Sequence, residues 1–212
     1  MNDNRKNPFL FACGVPRSGP TLLQRMLDSH PDLAVANDSH FIPRALELTD
    51  KSLYQAAIAG QPIPLTDQLI AAVRDYHRFY RLGISDREFA TVCQYATSYQ
   101  ELVAGIYDSC ASQADKPLAG EKTPDYVRRL EFLHAMFPHA KLIHLIRDGR
   151  NVALSLMQWA TPNKGPGRIA LWKEQPVAVC AMWWRWLVLE GVGQATAIDS
   201  SSYTEIRYES LT

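Results

Sequence analysis

Residues 8–30 read PFLFACGVPRSGPTLLQRMLDSH. Phe9 to Cys13 form a short, wholly apolar run stopped by Gly14. A run that short predicts a strand buried on both faces. Leu22, Leu23, Met26 and Leu27 then recur at helical spacing. Between them Gly14 to Thr21 spell GVPRSGPT. Strand, glycine-bounded loop and helix in that order aim loop amides and a helix N-terminus at one anion. The plainer alternative is a tight turn with Ser18 as the helix N-cap.

The loop has the spacing of the nucleotide-binding motif G-x-x-x-x-G-K-[ST], but Pro20 stands at the lysine position. That lysine reaches the β- and γ-phosphates of a nucleotide, and the final hydroxyl holds magnesium. Here the basic residue comes earlier, at Arg17. Such a loop suits a sulfonate or a single phosphate better than a magnesium triphosphate.

The bulk numbers narrow the classes. The chain has 212 residues, enough for one domain with a good core. Lys+Arg and Asp+Glu both number 22, so a general nucleic-acid binder is excluded and any anion site must be local. The first eleven residues, MNDNRKNPFLF, carry no long apolar segment, and no run approaches a membrane span. Cys13, Cys93, Cys110 and Cys180 are scattered and read as free thiols of a reducing compartment. The six histidines show no metal-ligand spacing.

Further elements follow the same logic. Residues 1–7 are polar and read as frayed. Leu33 to Ala36 predicts a second strand. Residues 41–115 read as mostly helical, broken at Gly60-Gln61-Pro62 and Leu82-Gly83. Within them Tyr76 to Arg81, YHRFYR, is read first as part of an amphipathic helix and second as a substrate wall. Leu118 to Gly120 lead into Glu121-Lys122-Thr123-Pro124, and Asp125 to Phe137 predicts a helix with Arg128 and Arg129 exposed. Lys141 to Ile146 is the clearest strand, followed by Arg147-Asp148-Gly149-Arg150 and a helix from Asn151 to Met157. Residues 159–175 predict a surface loop and gate, Val179 to Val192 a helix whose tryptophans pack, and Tyr203 to Glu209 a last strand.

P-R-S-G-x-T-L-L followed by L-D-S-H-P-D resembles the 5′-phosphosulfate loop of the sulfotransferases that use 3′-phosphoadenosine 5′-phosphosulfate (PAPS), in the branch of the tyrosylprotein sulfotransferases and their bacterial relatives. The second strand–turn–helix, from Lys141 to Ser155, resembles that family's 3′-phosphate motif. The resemblance implies a P-loop NTPase-like α/β fold, with a central parallel sheet of about five strands flanked by helices and a helical acceptor-side insertion over 41–115. It implies that Arg17, Ser18, Gly19, Pro20 and Thr21 hold the sulfuryl and 5′-phosphate oxygens, and that Lys122 neutralises charge at the oxygen bridging sulfur to phosphate. Arg147 and Ser155 would bind the 3′-phosphate, and Tyr208 would contact adenine. The family usually has threonine where Pro20 stands, so the cradle lacks one hydroxyl and one backbone N–H there, although proline suits a first helical turn.

The same resemblance places a general base at Asp38, with His40 as the other candidate. In an extended segment the two side chains would point to one side; alternatively Asp38 caps the next helix. PAPS is the implied donor and no metal is implied. The acceptor, a small molecule, glycan or peptide, is undetermined. A soluble, cytoplasmic member without a membrane anchor is expected, with the C-terminal part of the family domain missing after Thr212. The competing classes are a P-loop phosphotransferase or nucleotide kinase, and a non-catalytic nucleotide-binding remnant.

Overall fold

The computed structural model describes residues 6–212. In chain order the strands and α-helices are β1 (Leu10–Gly14), α1 (Pro20–Asp28), β2 (Leu33–Asn37), α2 (Phe41–Thr49), α3 (Lys51–Ile58), α4 (Asp67–Arg74), α5 (Asp86–Tyr95), α6 (Tyr99–Gln113), β3 (Leu118–Lys122), α7 (Leu130–Met136), β4 (Lys141–Ile146), α8 (Gly149–Trp159), α9 (Pro176–Ala195) and β5 (Tyr203–Arg207). The five strands form one sheet in the order β2-β3-β1-β4-β5. Every pairing is parallel.

β1 lies at the centre, and its residues alternate between two cores. Phe11 and Cys13 face the larger one, with Phe137, Val152 and Leu187. Leu10 and Ala12 face a smaller one with Leu23, Leu33, Val35 and Leu145. A strand covered on both faces has no polar side, hence its unbroken apolar run. Because all five strands are parallel, their carboxyl ends share one edge. In open α/β sheets that edge is where ligands bind.

The segment from 41 to 115 is helical between β2 and β3, with turns at Gly60 and Gly83, both at φ 71°. Tyr76 to Arg81 is not part of an amphipathic helix, however. α4 stops at Arg74, and Phe79–Leu82 form a separate 3₁₀ turn that Gly83 ends. Leu69 and Val73 are the buried positions of α4. The expected helix over 125–137 is also divided: Pro124–Arg128 are a 3₁₀ turn, and Arg129 leaves helical geometry at φ −138° before α7 begins. Arg128 and Arg129 are half-buried, because Asp125 and Glu47 pair with them.

The frayed N-terminus needs a correction at Asn7, residues 1–5 lying outside the described residues. Asn7 is buried, its Oδ1 accepts from the Ala119 amide at 2.7 Å and its Nδ2 donates to Asp108 at 2.9 Å. It thereby fixes the approach to β1.

Two strand side chains, Glu121 on β3 and His144 on β4, are polar and fully buried. His144 on β4 bonds the Tyr203 hydroxyl through Nδ1 at 2.8 Å, and that hydroxyl donates to Glu205. The shared hydroxyl therefore accepts from Nδ1–H, leaving Nε2 buried without a partner among the described residues. Burial pushes its pKa down to about 4. The folded state resists a proton that the unfolded chain accepts below its own value of 6.5, so stability falls as pH drops from about 6.5 towards 4. Between pH 7 and pH 5 this site alone should remove about 2 kcal/mol. Chemical denaturation of His144→Gln at both pH values should show a loss smaller by about that amount; equal losses in both proteins would contradict the assignment.

Candidate functional site

The first cradle follows β1. Gly14 sits at φ 154°, and a Cβ there would collide with the Leu145 carbonyl. Arg17 (φ 78°) and Gly19 (φ 98°) turn the loop into α1. The N-cap is Gly19, not Ser18, and Pro20 takes the first helical turn. The Ser18 hydroxyl is instead fully buried, with no partner among the described residues. A buried hydroxyl without a partner beside a helix N-terminus is compatible with a bound anion.

The second cradle follows β4. Asp148 is the N-cap of α8: its carboxylate accepts from the Arg150 amide at 2.8 Å and holds the exposed Arg150 side chain. Arg147 is half-buried, and its Nε has no partner among the described residues. Its carbonyl accepts from the Trp184 indole at 3.1 Å. Its guanidinium lies 4.0 Å from the centre of the Tyr208 ring. A Cβ on Gly19 would strike that same ring. Tyr208 stands just past β5 in a 3₁₀ turn, so the predicted strand ends two residues early at Arg207. Its ring touches both cradles. Arg17 completes the link by donating from Nε to the Ser155 hydroxyl on α8 at 2.9 Å.

The segment after β2 departs from expectation. Asp38 and His40 are not extended: both are left-handed, at φ 60° and 63°. Aspartate and histidine tolerate that region better than most residues. The double turn still brings their side chains together, His40 Nε2 lying 2.8 Å from Asp38 Oδ1. Asp38 does not cap a helix; the N-cap of α2 is His40, without a side-chain bond. The other oxygen of Asp38 accepts from Arg78 and Arg81, each at 2.9 Å. Burial alone would raise the Asp38 pKa, but the bond to His40, with the charges of His40, Lys122 and Arg78, holds it below the ordinary value. Lys122 ends β3 with its ammonium on Asn37 Oδ1 at 2.5 Å. Burial pushes its pKa down, against the pull of Asp38 and Glu121.

A cleft of about 910 Å³ opens over these groups. Arg17, Thr21, Asp38, His40 and Lys122 line it, as do Tyr76 and Arg78 from the segment between α4 and the 3₁₀ turn. The segment after α8, predicted as a gate, contributes Lys164, Arg168 and Ile169, and α9 contributes Trp183 and Trp186. Trp184 has a different task, filling the space above Gly149. Arg147, Ser155 and Tyr208 lie beyond the cleft, behind Arg17. Of the stretch Tyr76 to Arg81, read first as helix, Tyr76, His77 and Arg78 line the cleft.

Two features of this site were missed from sequence. Arg78 and Arg81 close on Asp38 from a distance of forty residues in the chain, with no local signal. Glu121 is fully buried on β3. Its place at the end of a short apolar run, beside Lys122, did not distinguish it from a solvated carboxylate.

A sequence model described as the sulfotransferase family matches residues 8–212. The chain belongs to the sulfotransferase family. It is 24% identical over 208 residues to protein-tyrosine sulfotransferase A of Caenorhabditis elegans, covering 98% of this chain and 47% of that protein. It is 30% identical over 153 residues to nodulation protein NoeE of Sinorhizobium fredii, covering 72% and 32% respectively. The chain therefore spans less than half the length of these curated relatives. Among solved structures, the sulfotransferase domain from the curacin biosynthetic pathway superposes with a TM-score of 0.58 at 20% identity, over 96% of this chain and 68% of that one. Sulfotransferase STF1 of Mycobacterium tuberculosis gives 0.51 at 15%, over 96% and 62%. These two establish the shared fold, and the α/β architecture with a five-stranded parallel sheet agrees with it.

Within this sulfotransferase-family chain, Gly19 is the tightest point of the loop. Gly19→Ala adds a Cβ at positive φ and against Tyr208, and should cost about 1–3 kcal/mol. The additional change Tyr208→Ala should remove the collision but not the backbone strain. Thermal melts of the single and double variants check this, and a Gly19→Ala protein as stable as the parent would refute the close approach.

Proposed function

We propose that the chain moves a sulfuryl group from PAPS to a hydroxyl or amine acceptor by in-line displacement. The observation that carries this is the joining of two anion cradles, at the carboxyl ends of the adjacent strands β1 and β4, through the Arg17–Ser155 bond. A nucleotide with anionic groups on both sides of its ribose is the simplest ligand for both. The orphaned Ser18 hydroxyl and Arg147 Nε fit such groups.

The donor supplies an activated sulfuryl group with the nucleotide bisphosphate as leaving group; the protein positions it and manages charge. Loop amides, Ser18 and Thr21 hold the end bearing the sulfuryl group. Arg17 can leave Ser155 for the same oxygens, freeing that hydroxyl for the 3′-phosphate beside Arg147. The planar Arg147 guanidinium meets phosphate oxygens in pairs. Lys122 faces the bond that breaks, and one such charge in a dry site is worth about 3 kcal/mol.

The acceptor oxygen bonds to sulfur, the bridging oxygen departs with its electron pair, and the acceptor proton passes to Asp38 and His40. These two act as one unit: both oxygens of Asp38 already accept bonds, and the bond to His40 is itself what holds its pKa low, so the proton is taken up by the pair rather than by the carboxylate alone. As in phosphoryl transfer, most of the acceleration is positioning and electrostatics. The similarity to protein-tyrosine sulfotransferases supports a hydroxyl acceptor, which enters past Trp183 and Trp186.

Calorimetry with 3′-phosphoadenosine 5′-phosphate, followed by transfer from labelled PAPS to a panel of alcohols, phenols and peptides, tests the reading. Magnesium-dependent ATP turnover without affinity for the bisphosphate would instead indicate phosphotransfer. Arg147→Ala should weaken the bisphosphate roughly 10- to 100-fold while leaving adenosine 5′-phosphate nearly unaffected, the loss expected for charged hydrogen bonds. Pro20→Thr should tighten the bisphosphate by about one hydrogen bond, or ~0.5–1.5 kcal/mol. Asp38→Asn and His40→Asn should each lower kcat by about 10²- to 10⁴-fold. Because they act together, the double variant should be little worse than the poorer single one; multiplicative losses would separate their roles.

A further inference from the structure

The buried Glu121 carboxylate lies on β3, immediately before Lys122, yet nothing in the proposed chemistry uses it. Five groups donate to it. Oε1 accepts from the Ser39 amide at 2.5 Å, the His40 amide at 3.3 Å and the Thr123 hydroxyl at 2.5 Å. Oε2 accepts from the Tyr107 hydroxyl at 2.6 Å and the Tyr126 hydroxyl at 3.3 Å. Its side chain has no solvent exposure.

The two backbone donors are the informative ones. They belong to the turn in which Asp38 and His40 both hold left-handed conformations. Such residues are strained, and they persist only where their surroundings impose the geometry. At Asp38 the backbone is held by other partners: its amide donates to the Lys122 carbonyl at 2.8 Å, and its carbonyl accepts from Arg81 at 3.3 Å and Arg78 at 3.5 Å. Glu121 holds the next two amides, and so acts on the backbone of the residue whose ring meets Asp38. Two tyrosines, from α6 and from the 3₁₀ turn after β3, hold the opposite side of the carboxylate. Tyr126 also sets its ring edge-on to His40, with centroids 6.2 Å apart.

We infer that Glu121 is a positioning residue: it clamps the Ser39–His40 amides so that the His40 ring donates to Asp38 and the pair faces the cleft beside Lys122. The carboxylate never reaches substrate. Its necessity comes from the two backbone amides, which can only donate, and from the negative charge that strengthens all five bonds. Glutamine has the same shape but no charge: its carbonyl oxygen is a weaker acceptor for the Ser39 and His40 amides, and its NH₂ forces the Tyr107 and Tyr126 hydroxyls from donors into acceptors, loosening the turn. The catalytic half of this inference rests on the sulfuryl-transfer reading; the geometric half does not.

The decisive variant is Glu121→Gln in the full chain, with two measurements. Ring ¹⁵N resonances of His40, assigned by their loss in His40→Gln, report the Asp38 bond without any substrate. They should move towards those of a solvated histidine, while His144 stays in place. Bisphosphate affinity should remain within about threefold, because the cradles do not touch Glu121, whereas kcat should fall on the order of 10²-fold with little change in KM, as for a misplaced catalytic group. If Glu121→Gln does not fold, Thr123→Val removes one donor from the same oxygen and should move His40 in the same direction, with a severalfold loss of kcat. Unmoved His40 resonances, a kcat equal to that of the parent, or a loss of bisphosphate affinity parallel to kcat would each overturn the inference. If the parent transfers sulfuryl groups to no acceptor, the functional reading fails on its own, and the His40 resonances alone decide the clamp.

Discussion

A carboxylate sealed from water has to be surrounded by donors, and Glu121 draws five of them from four parts of the chain. Its cost of burial would be several kcal/mol if unmet. Meeting it ties together the end of β3, the turn after β2, α6 and the 3₁₀ turn at Tyr126. Burial raises the pKa of Tyr107 and Tyr126 well above the ordinary phenol value, and the adjacent Glu121 charge adds to the shift, so both hydroxyls remain protonated donors. The candidate catalytic groups Asp38, His40 and Lys122 all lie within two residues of this knot in sequence or in space.

The parallel sheet performs the complementary task. It sets β1 and β4 side by side in register from Leu10–Lys141 to Gly14–Leu145. Two loops that are more than a hundred residues apart therefore leave the sheet at the same height. The close approach of Gly14 to the Leu145 carbonyl, and of Gly19 to Tyr208, leaves no room for side chains between them. Small residues at these points let the two turns approach closely enough for one ligand to span them, as the proposed donor would. Arg17, reaching from one turn to Ser155 near the other, shows how short the remaining gap is.

Particular residues show how much was legible. The apolar run of β1, the loop after it and the strand at Lys141–Ile146 could be read because each is a local pattern: periodicity, a glycine, a charge at a strand end. Asp38 and His40 were found as candidates, but by the wrong geometry. Period-two alternation would have brought them together in a strand, whereas left-handed turns do so here, and nothing in Asn37-Asp38-Ser39-His40 announces them. Tyr76 to Arg81 continued a helical rhythm that the structure ends at Arg74, since Arg78 and Arg81 have a distant carboxylate to reach.

From its order of residues alone, then, the chain determined its strands, the two turns that follow β1 and β4 and its membership of an α/β class, because those depend on neighbours a few positions away. Tertiary structure decided which charges meet. Asp38 finds Arg78 and Arg81, Arg17 finds Ser155, and Glu121 finds Tyr107 and the Ser39 amide only after the sheet has closed. Electrostatic partnership depends on distance through space and on exclusion of water, and neither is written in the spacing of residues along the backbone.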